Sequence, residues 1–273
     1  FRYNFNIKIY GKIKYQFQHN IFYSSNGYSS ILYHYFWSYR AIHKSSMEVK
    51  KYYIILFYLS YIIANTSNYD IKLYNMSMSN VVMSTKDTVV NKDLLTKISF
   101  ETSTYRLIST FFKVDNKYQT TIDANFNIRS FQKDTYQPNV SNKIFTVYKN
   151  DSVFYNNSKI DIPKNYFNIF SLLYYLSITD FEQVKSNVKL EREGLQYDCK
   201  IEKIKMGDYL YEYTLYFELA GKERVPLFIH SDIFTWAIFK EDATRKIIVD
   251  SHLKKIVKCS FKNGWNKVEA YIQ

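Results

Sequence analysis

The chain of 273 residues carries a formal net charge of +12 and contains only six glycines and three prolines. So few turn-forming residues exclude a linker-rich or disordered protein. Tyr, Phe, Val, Ile and Thr are common, and this composition favours half-buried β-strands.

Residues 1–46 differ from the rest of the chain because they contain no Asp or Glu. An expressed soluble segment of that length normally carries acidic residues. We therefore interpret 1–46 as an upstream extension that is not native to the protein and is disordered or poorly packed. The alternative interpretation is a genuine aromatic and basic N-terminal arm.

Residues 47–64 have the pattern of a secretory signal peptide. Lys50 and Lys51 precede the uncharged, mostly apolar run 52–64, which ends in the small residue Ala64 before Asn65. As a helix this run is too short to span a bilayer, which takes about 20 apolar residues. We expect cleavage between Ala64 and Asn65, export to the periplasm or the exterior of a bacterial cell, and only transient membrane contact through the leader.

The remaining segment, 65–273, is predicted to be a single domain. Residues 1–46 hold six net positive charges and the leader holds one, so +5 remains for this domain. Its lysines are interspersed with acids instead of forming a basic stripe. We therefore do not expect nucleic acid as a partner.

Strict alternation of apolar and polar residues dominates the domain. The odd positions of Tyr211–Leu219 are all apolar or aromatic, and Tyr197–Glu202 alternates similarly. A period of two predicts half-buried strands, and the turn-forming residues at 115–117 and 123–125 separate some of them. In chain order the predicted strands are 95–100, 105–114, 118–122, 144–148, 197–202, 211–219, 225–229, 233–239, 246–250 and 256–261.

Residues 167–176 break the alternation. Phe170, Leu173, Tyr174 and Ser177 fall at helical spacing, which predicts a short helix, although periodicity is also compatible with a fully buried strand. The expected fold is therefore mainly β: an antiparallel, strongly curved sheet or incomplete barrel with one short covering helix.

Three stretches resemble a known family. Residues 111–123 resemble its strand–turn–strand unit, 167–176 resemble its short helix, and 233–242 resemble its late Trp strand and acidic turn. On these stretches the chain resembles the bacterial exported proteins of domain of unknown function 3108. The resemblance implies an envelope location and a β-rich fold, and it implies no catalytic residue.

Cys199 and Cys259 are the only cysteines, and both occupy apolar positions of predicted strands. In an oxidising compartment they could form a disulfide. Two separate buried thiols are the alternative. With His230 and His252 they show no metal-ligand spacing, so no metal and no cofactor is expected.

No sequence motif in this chain identifies a catalytic residue. His230, Ser231 and Asp232 are contiguous, and neighbours on a strand point to opposite faces, so they do not form a triad by themselves. Tyr174, Tyr175, Phe234 and Trp236 are candidates for lining an apolar ligand site, with core packing as the alternative. We favour a non-catalytic protein that binds an apolar small molecule or lipid, or that serves as a scaffold for envelope proteins. A secreted hydrolase with its site dispersed over several strands is the alternative.

Overall fold

The computed structural model describes residues 66–90, 93–149, 152–155, 158–160, 165–220 and 232–273. The predicted extension 1–46, the predicted leader 47–64 and the predicted cleavage site at Ala64 and Asn65 lie outside these residues. The predicted strand 225–229 also lies outside them.

The described residues form one sheet of fifteen strands, which confirms the predicted mainly β class. All neighbouring strands are antiparallel except one short parallel pair. The strands are β1 Thr66–Leu73, β2 Met76–Val90, β3 Asp93–Thr104, β4 Asp115–Ile122, β5 Ile128–Gln137, β6 Val140–Lys149, β7 Ser152–Tyr155, β8 Ser158–Ile160, β9 Tyr166–Phe167, β10 Asn187–Arg192, β11 Leu195–Lys205, β12 Leu210–Leu219, β13 Thr244–Asp250, β14 Lys255–Asn263 and β15 Asn266–Ile272.

The strand order follows the chain almost throughout. Strands β1 to β8 form one meander and β10 to β15 form a second, to whose edge β9 is added in parallel; pairing of β1 with β15 joins the two into one sheet. The sheet order therefore ends at β8 and β9, and no backbone ladder joins these two edges in the part of the chain that the structure describes. We call the gap between the two edges the seam.

Within the described ranges, three helices and one 3₁₀ turn accompany the sheet: α1 Arg106–Ser109, α2 Ile169–Ile178, the 3₁₀ turn Phe181–Gln183 and α3 Ile233–Phe239. Helix α2 contacts β3 and β4 of the first meander and β9, β10, β13 and β14 of the second. Strands from both meanders reach a single helix only if the sheet curls around it. The sheet is therefore strongly curved and unclosed, as the sequence predicts.

Helix α2 confirms the predicted helix at 167–176. Asn168 caps it: the Ser171 backbone N–H donates to Asn168 Oδ1 at 2.8 Å, and the Asn168 backbone N–H donates to Ser171 Oγ at 3.1 Å. Such a capping box satisfies amide groups that the first turn leaves unpaired. Leu172 and Leu176 are completely buried. The helix is buried on nearly all sides because the sheet curls around it.

Strand β12 confirms the strand predicted for 211–219, but its alternation holds only in part. Tyr213 and Leu215 are fully buried and Tyr216 is exposed, whereas Thr214, predicted to face solvent, is buried as well. The pattern weakens at the end of the strand, where Leu219 is exposed although its position is apolar. Burial therefore depends on where a residue lies along the curled sheet, as well as on the alternation of the strand.

Two predicted strands are wrong. Residues 233–239 form helix α3, because Asp232 caps its first turn by accepting a hydrogen bond from the Thr235 N–H at 2.9 Å. A seven-residue, mostly apolar run is compatible with either a helix or a strand, and the Asp232 cap stabilises the helix. Residues 105–114 contain α1 and a loop instead of a strand, and the predicted turn at 115–117 belongs to β4.

Candidate functional site

The four predicted ligand-lining residues do not share one cavity. Tyr174, near the end of α2, lies beside a small cavity of about 190 Å³ together with Tyr69 and Leu253. Tyr175 is buried, and its ring meets the Phe126 ring edge-on with 5.0 Å between centroids.

The other two predicted residues belong to α3. The Phe234 ring lies 5.8 Å from the Tyr118 ring and 6.1 Å from the Phe170 ring, so it joins the core packing around α2. Trp236 is 49% exposed, and Lys240 Nζ lies 4.8 Å from its ring centroid. The structure therefore places three of the four aromatic rings in or against the core and one towards solvent.

Cys199 on β11 and Cys259 on β14 carry free, buried thiols, with two strands between them in the sheet. Burial raises the pKa of each thiol to about 12, although the charge of Arg245 acts in the opposite direction on Cys199. A thiol with such a pKa is almost entirely protonated near neutral pH and is a poor nucleophile. In the structure both side chains act as small apolar core residues.

The most unusual polar feature is a buried lysine. Lys133 on β5 is only 1% exposed, and its Nζ lies 2.5 Å from Glu193 Oε1 and 2.6 Å from Asp232 Oδ2. Both carboxylates are buried as well. Isolated charges are very unfavourable in a protein interior, so the three groups depend on one another. We call Lys133, Glu193 and Asp232 the ionic cluster.

Asp232 is held in the cluster by its position before α3. In addition to the Thr235 backbone, the Thr235 hydroxyl donates to Asp232 Oδ2, and the Tyr118 hydroxyl donates to Oδ1 at 2.6 Å. Asn116 Nδ2 donates to the Tyr118 oxygen at 3.1 Å. Burial alone would raise the pKa of Asp232, but the Lys133 charge and these donors hold it below its ordinary value. Asp232 is therefore ionised.

Glu193 lies in the tight turn between β10 and β11, where its φ of 50° is in the left-handed region. Glu191, near the end of β10, accepts from the Tyr148 hydroxyl at 3.0 Å and from the Gly194 N–H of this turn at 3.2 Å. Burial raises the pKa of Glu191 to about 7, although these two hydrogen bonds favour the ionised form. Glu191 therefore changes charge near neutral pH.

These contacts cross the seam. Lys133 and Tyr148 belong to β5 and β6 of the first meander, whereas Glu191 lies at the end of β10 and Glu193 in the β10–β11 turn of the second. Tyr166 of β9 also packs in a small apolar group with Ile144 of β6 and with β7. Side chains thus join the two meanders where the backbone ladder stops.

The ionic cluster is almost completely buried, and Lys133 is shared between the carboxylates of Glu193 and Asp232. Sequence analysis missed Lys133 because β5 was not predicted. The sequence from Phe131 to Thr135 does not alternate between apolar and polar residues, so the burial of Phe131, Lys133 and Thr135 on one face is seen only in the structure.

In the part of the chain that the structure describes, no group of three or more His, Cys, Asp or Glu side chains could hold a metal ion. No helix among those residues is long and apolar enough to cross a membrane.

The comparisons with known proteins give little beyond these observations. No family model matches the chain, and no curated protein matches it. The similar solved structures include a beta-barrel-like protein of domain of unknown function DUF1849 from Brucella abortus. The TM-score is 0.46 and the identity 10%, over 77% of this chain and 95% of that chain. The resemblance to domain of unknown function 3108 stays a prediction.

Proposed function

We propose that this is an exported, non-catalytic binding protein of the bacterial envelope, and that it takes up an apolar or envelope-derived ligand inside the curled sheet. The observation that carries the proposal is an apolar interior occupied by a helix and, among the described residues, closed at the seam by side-chain contacts without a backbone ladder. The scaffold role for envelope proteins is a variant of the same proposal in which the ligand is a protein segment.

The interior supports an apolar ligand. Helix α2 presents apolar side chains to strands on opposite sides, and Phe170 stacks on Tyr118 with 4.5 Å between ring centroids. The polar groups of α2 are largely satisfied locally: Ser177 Oγ donates to the Tyr174 carbonyl at 2.7 Å. A ligand that replaced part of these contacts would have to be apolar, because an unpaired polar group is costly there.

The seam supports a route of entry. Opening a continuous antiparallel ladder would break many backbone hydrogen bonds at once. Here the joining contacts include the Tyr148–Glu191 hydrogen bond and the Lys133–Glu193 ion pair. Each such contact contributes on the order of 1–3 kcal/mol, so a local opening is accessible while the rest of the sheet stays intact.

Export rests on the predicted leader, which lies outside the described residues. N-terminal sequencing of protein secreted by a bacterial host should begin near Asn65. A chain that retains Phe1 would contradict the export part of the proposal and would leave the binding part standing.

Ligand binding is tested with an apolar fluorescent probe, N-phenyl-1-naphthylamine, and by mass spectrometry of purified protein for co-purifying lipid. Tyr148→Phe removes a seam hydrogen bond worth about 1 kcal/mol, so we expect about fivefold tighter probe binding. The matched control is Tyr216→Phe, which removes a similar hydrogen bond to Glu202 on the exposed side of the sheet.

The control variant should bind the probe as the wild type does. No saturable probe binding and no co-purifying lipid in several preparations would overturn the proposal. Hydrolysis of a broad panel of ester substrates by the purified protein would instead support the secreted hydrolase.

A further inference from the structure

Two buried hydroxyl groups lie at the seam without a hydrogen-bond partner. Thr146 is 0% exposed and Tyr155 is 2% exposed, yet Thr146 Oγ1 and Tyr155 Oη make no hydrogen bond to any described residue. An unpaired hydroxyl in a protein interior costs free energy, so the large majority of such groups are paired with the protein or with a bound molecule. Two of them in one place indicate that this part of the seam receives a polar group.

The two side chains are neighbours. Thr146 on β6 and Tyr155 on β7 are direct cross-strand partners, so their Cβ atoms are about 4.5–5.5 Å apart. Tyr155 also packs with Ile144, Val153 and Tyr166 in the small apolar group at the seam. The hydroxyls therefore lie together against apolar surface. We call Thr146 and Tyr155 the hydroxyl pair.

The hydroxyl pair is continuous with the apolar interior around α2. Phe131 on β5 is the cross-strand partner of Thr146 on its other side, and the Phe131 ring stacks on the Phe170 ring of α2 with 5.8 Å between centroids. Tyr148 packs against both the main core and the small apolar group at the seam. One elongated ligand can therefore place an apolar chain beside α2 and a polar group at the hydroxyl pair.

The charged groups of the seam select a polar group without charge. Lys133 lies between the carboxylates of Glu193 and Asp232, and Arg192 Nε is 3.8 Å from Glu193 Oε2. Both cations thus have carboxylate partners already, and Glu191 adds a further carboxyl group at the end of β10. An anionic ligand would meet these acids without a free cation, and burying an additional charge of either sign is costly.

We propose that the hydroxyl pair binds the carbonyl oxygen of an uncharged acyl ester whose hydrocarbon chain lies beside α2. Each hydroxyl donates one hydrogen bond to this oxygen, which has two lone pairs to accept them. This site rests on the proposed uptake of an apolar ligand, and it specifies the chemical class of that ligand: an acyl chain with a neutral, hydrogen-bond-accepting end. The polar end is held at the seam, where the backbone ladder stops.

The test is displacement of N-phenyl-1-naphthylamine from the full chain by glycerol monolaurate and by dodecanoate, which has the same acyl chain with a charged end. We expect glycerol monolaurate to displace the probe at the lower concentration. Thr146→Val and Tyr155→Phe keep the shape of the side chain and remove its hydroxyl. Each should weaken binding of glycerol monolaurate about fivefold, as expected for the loss of one hydrogen bond, and should leave the affinity for the probe unchanged.

The matched control is Tyr213→Phe. Tyr213 is completely buried as well, and its hydroxyl also makes no hydrogen bond to a described residue, but β12 is three strands away from the β9 edge of the seam. The control should bind glycerol monolaurate as the wild type does. Without ligand, all three variants should resist urea at least as well as the wild type, because each removes a buried hydroxyl that has no partner.

The outcomes separate this site from ligand uptake in general. If the probe binds and both hydroxyl variants bind glycerol monolaurate as the wild type does, the ester site is overturned and the uptake of an apolar ligand stands. Saturable binding of neither the probe nor glycerol monolaurate would overturn both. Stronger displacement by dodecanoate than by glycerol monolaurate would overturn the ester site, since the recognised group would then be an anion. Lower stability of Thr146→Val or Tyr155→Phe without ligand would also overturn it, because the hydroxyl would then be paired within the protein.

Discussion

Replacement of Lys133 by Met tests whether the ionic cluster holds the two meanders together. Met occupies a similar volume without the charge, so the buried carboxylates of Glu193 and Asp232 would lose their shared cation. Removing one partner of a buried ion pair typically costs about 3–5 kcal/mol, because the other charge stays uncompensated. A domain of this kind has a total stability of about 5–15 kcal/mol, so the variant should lose a large part of it.

The assay is urea unfolding followed by circular dichroism and Trp fluorescence. The control is Lys200→Met, because Lys200 forms a pair of similar length, 2.8 Å, with Glu202 on the exposed side of the sheet. An exposed pair contributes about 0–1 kcal/mol, so this control should unfold close to the wild type. Adding Glu193→Gln and Asp232→Asn to Lys133→Met should restore most of the lost stability, since neither buried carboxylate then remains; Arg192, 3.8 Å from Glu193 and partly exposed, loses only a weak pair.

A free energy of unfolding of Lys133→Met within about 1 kcal/mol of the wild type would refute this expectation, because loss of a lysine enclosed by two buried carboxylates should cost more. A triple variant no more stable than Lys133→Met would also contradict it, since the loss would then come from packing and not from charge.

Three further predictions concern the seam and helix α2. Burial raises the pKa of Glu191 from 4.5 to about 7, so the stability that its protonated side chain contributes is complete below about pH 4.5 and is lost as the pH rises through 7. Between those limits, urea unfolding at several pH values should show the wild type losing up to about 3 kcal/mol relative to Glu191→Gln. Parallel stability profiles of the two proteins would contradict this. Leu172→Ala removes a fully buried side chain and should cost about 2–5 kcal/mol by the same assay. Asn168→Ala removes the α2 cap and the hydrogen bond that Asn168 Nδ2 donates to Thr120 Oγ1 at 3.0 Å. We expect a loss of about 1–2 kcal/mol of stability, measured by thermal unfolding, whereas Asn168→Ser, which keeps a capping oxygen, should lose less.

The seam links these predictions to the proposed function. Above pH 7 Glu191 is ionised while it is buried, so the closed seam is less stable relative to an open one in which water reaches the carboxylate. If ligand enters through the seam, N-phenyl-1-naphthylamine should bind faster at pH 8 than at pH 5.5, and Glu191→Gln should remove most of the difference. Equal rates at the two pH values in the wild type would argue for entry elsewhere.

The β class and helix α2 could be predicted from sequence because both leave a local signature. Tyr213 and Leu215 repeat at the period of a strand, and Phe170, Leu173 and Tyr174 repeat at that of a helix. Each signature needs only a few consecutive residues. Where the local signal is short, as at 233–239, the prediction failed, because a single turn of capping contacts from Asp232 outweighs the strand preference of the apolar residues.

Only the tertiary structure decided where charge is buried. Lys133, Glu193 and Asp232 are separated by tens of residues, and each looks like an ordinary surface residue in its own segment. They meet because β1 pairs with β15, which curls the two meanders around α2 until β5 faces the β10–β11 turn. Periodicity encodes which face of a strand is buried, but the pairing of distant strands depends on contacts across the whole chain, and no local window contains them.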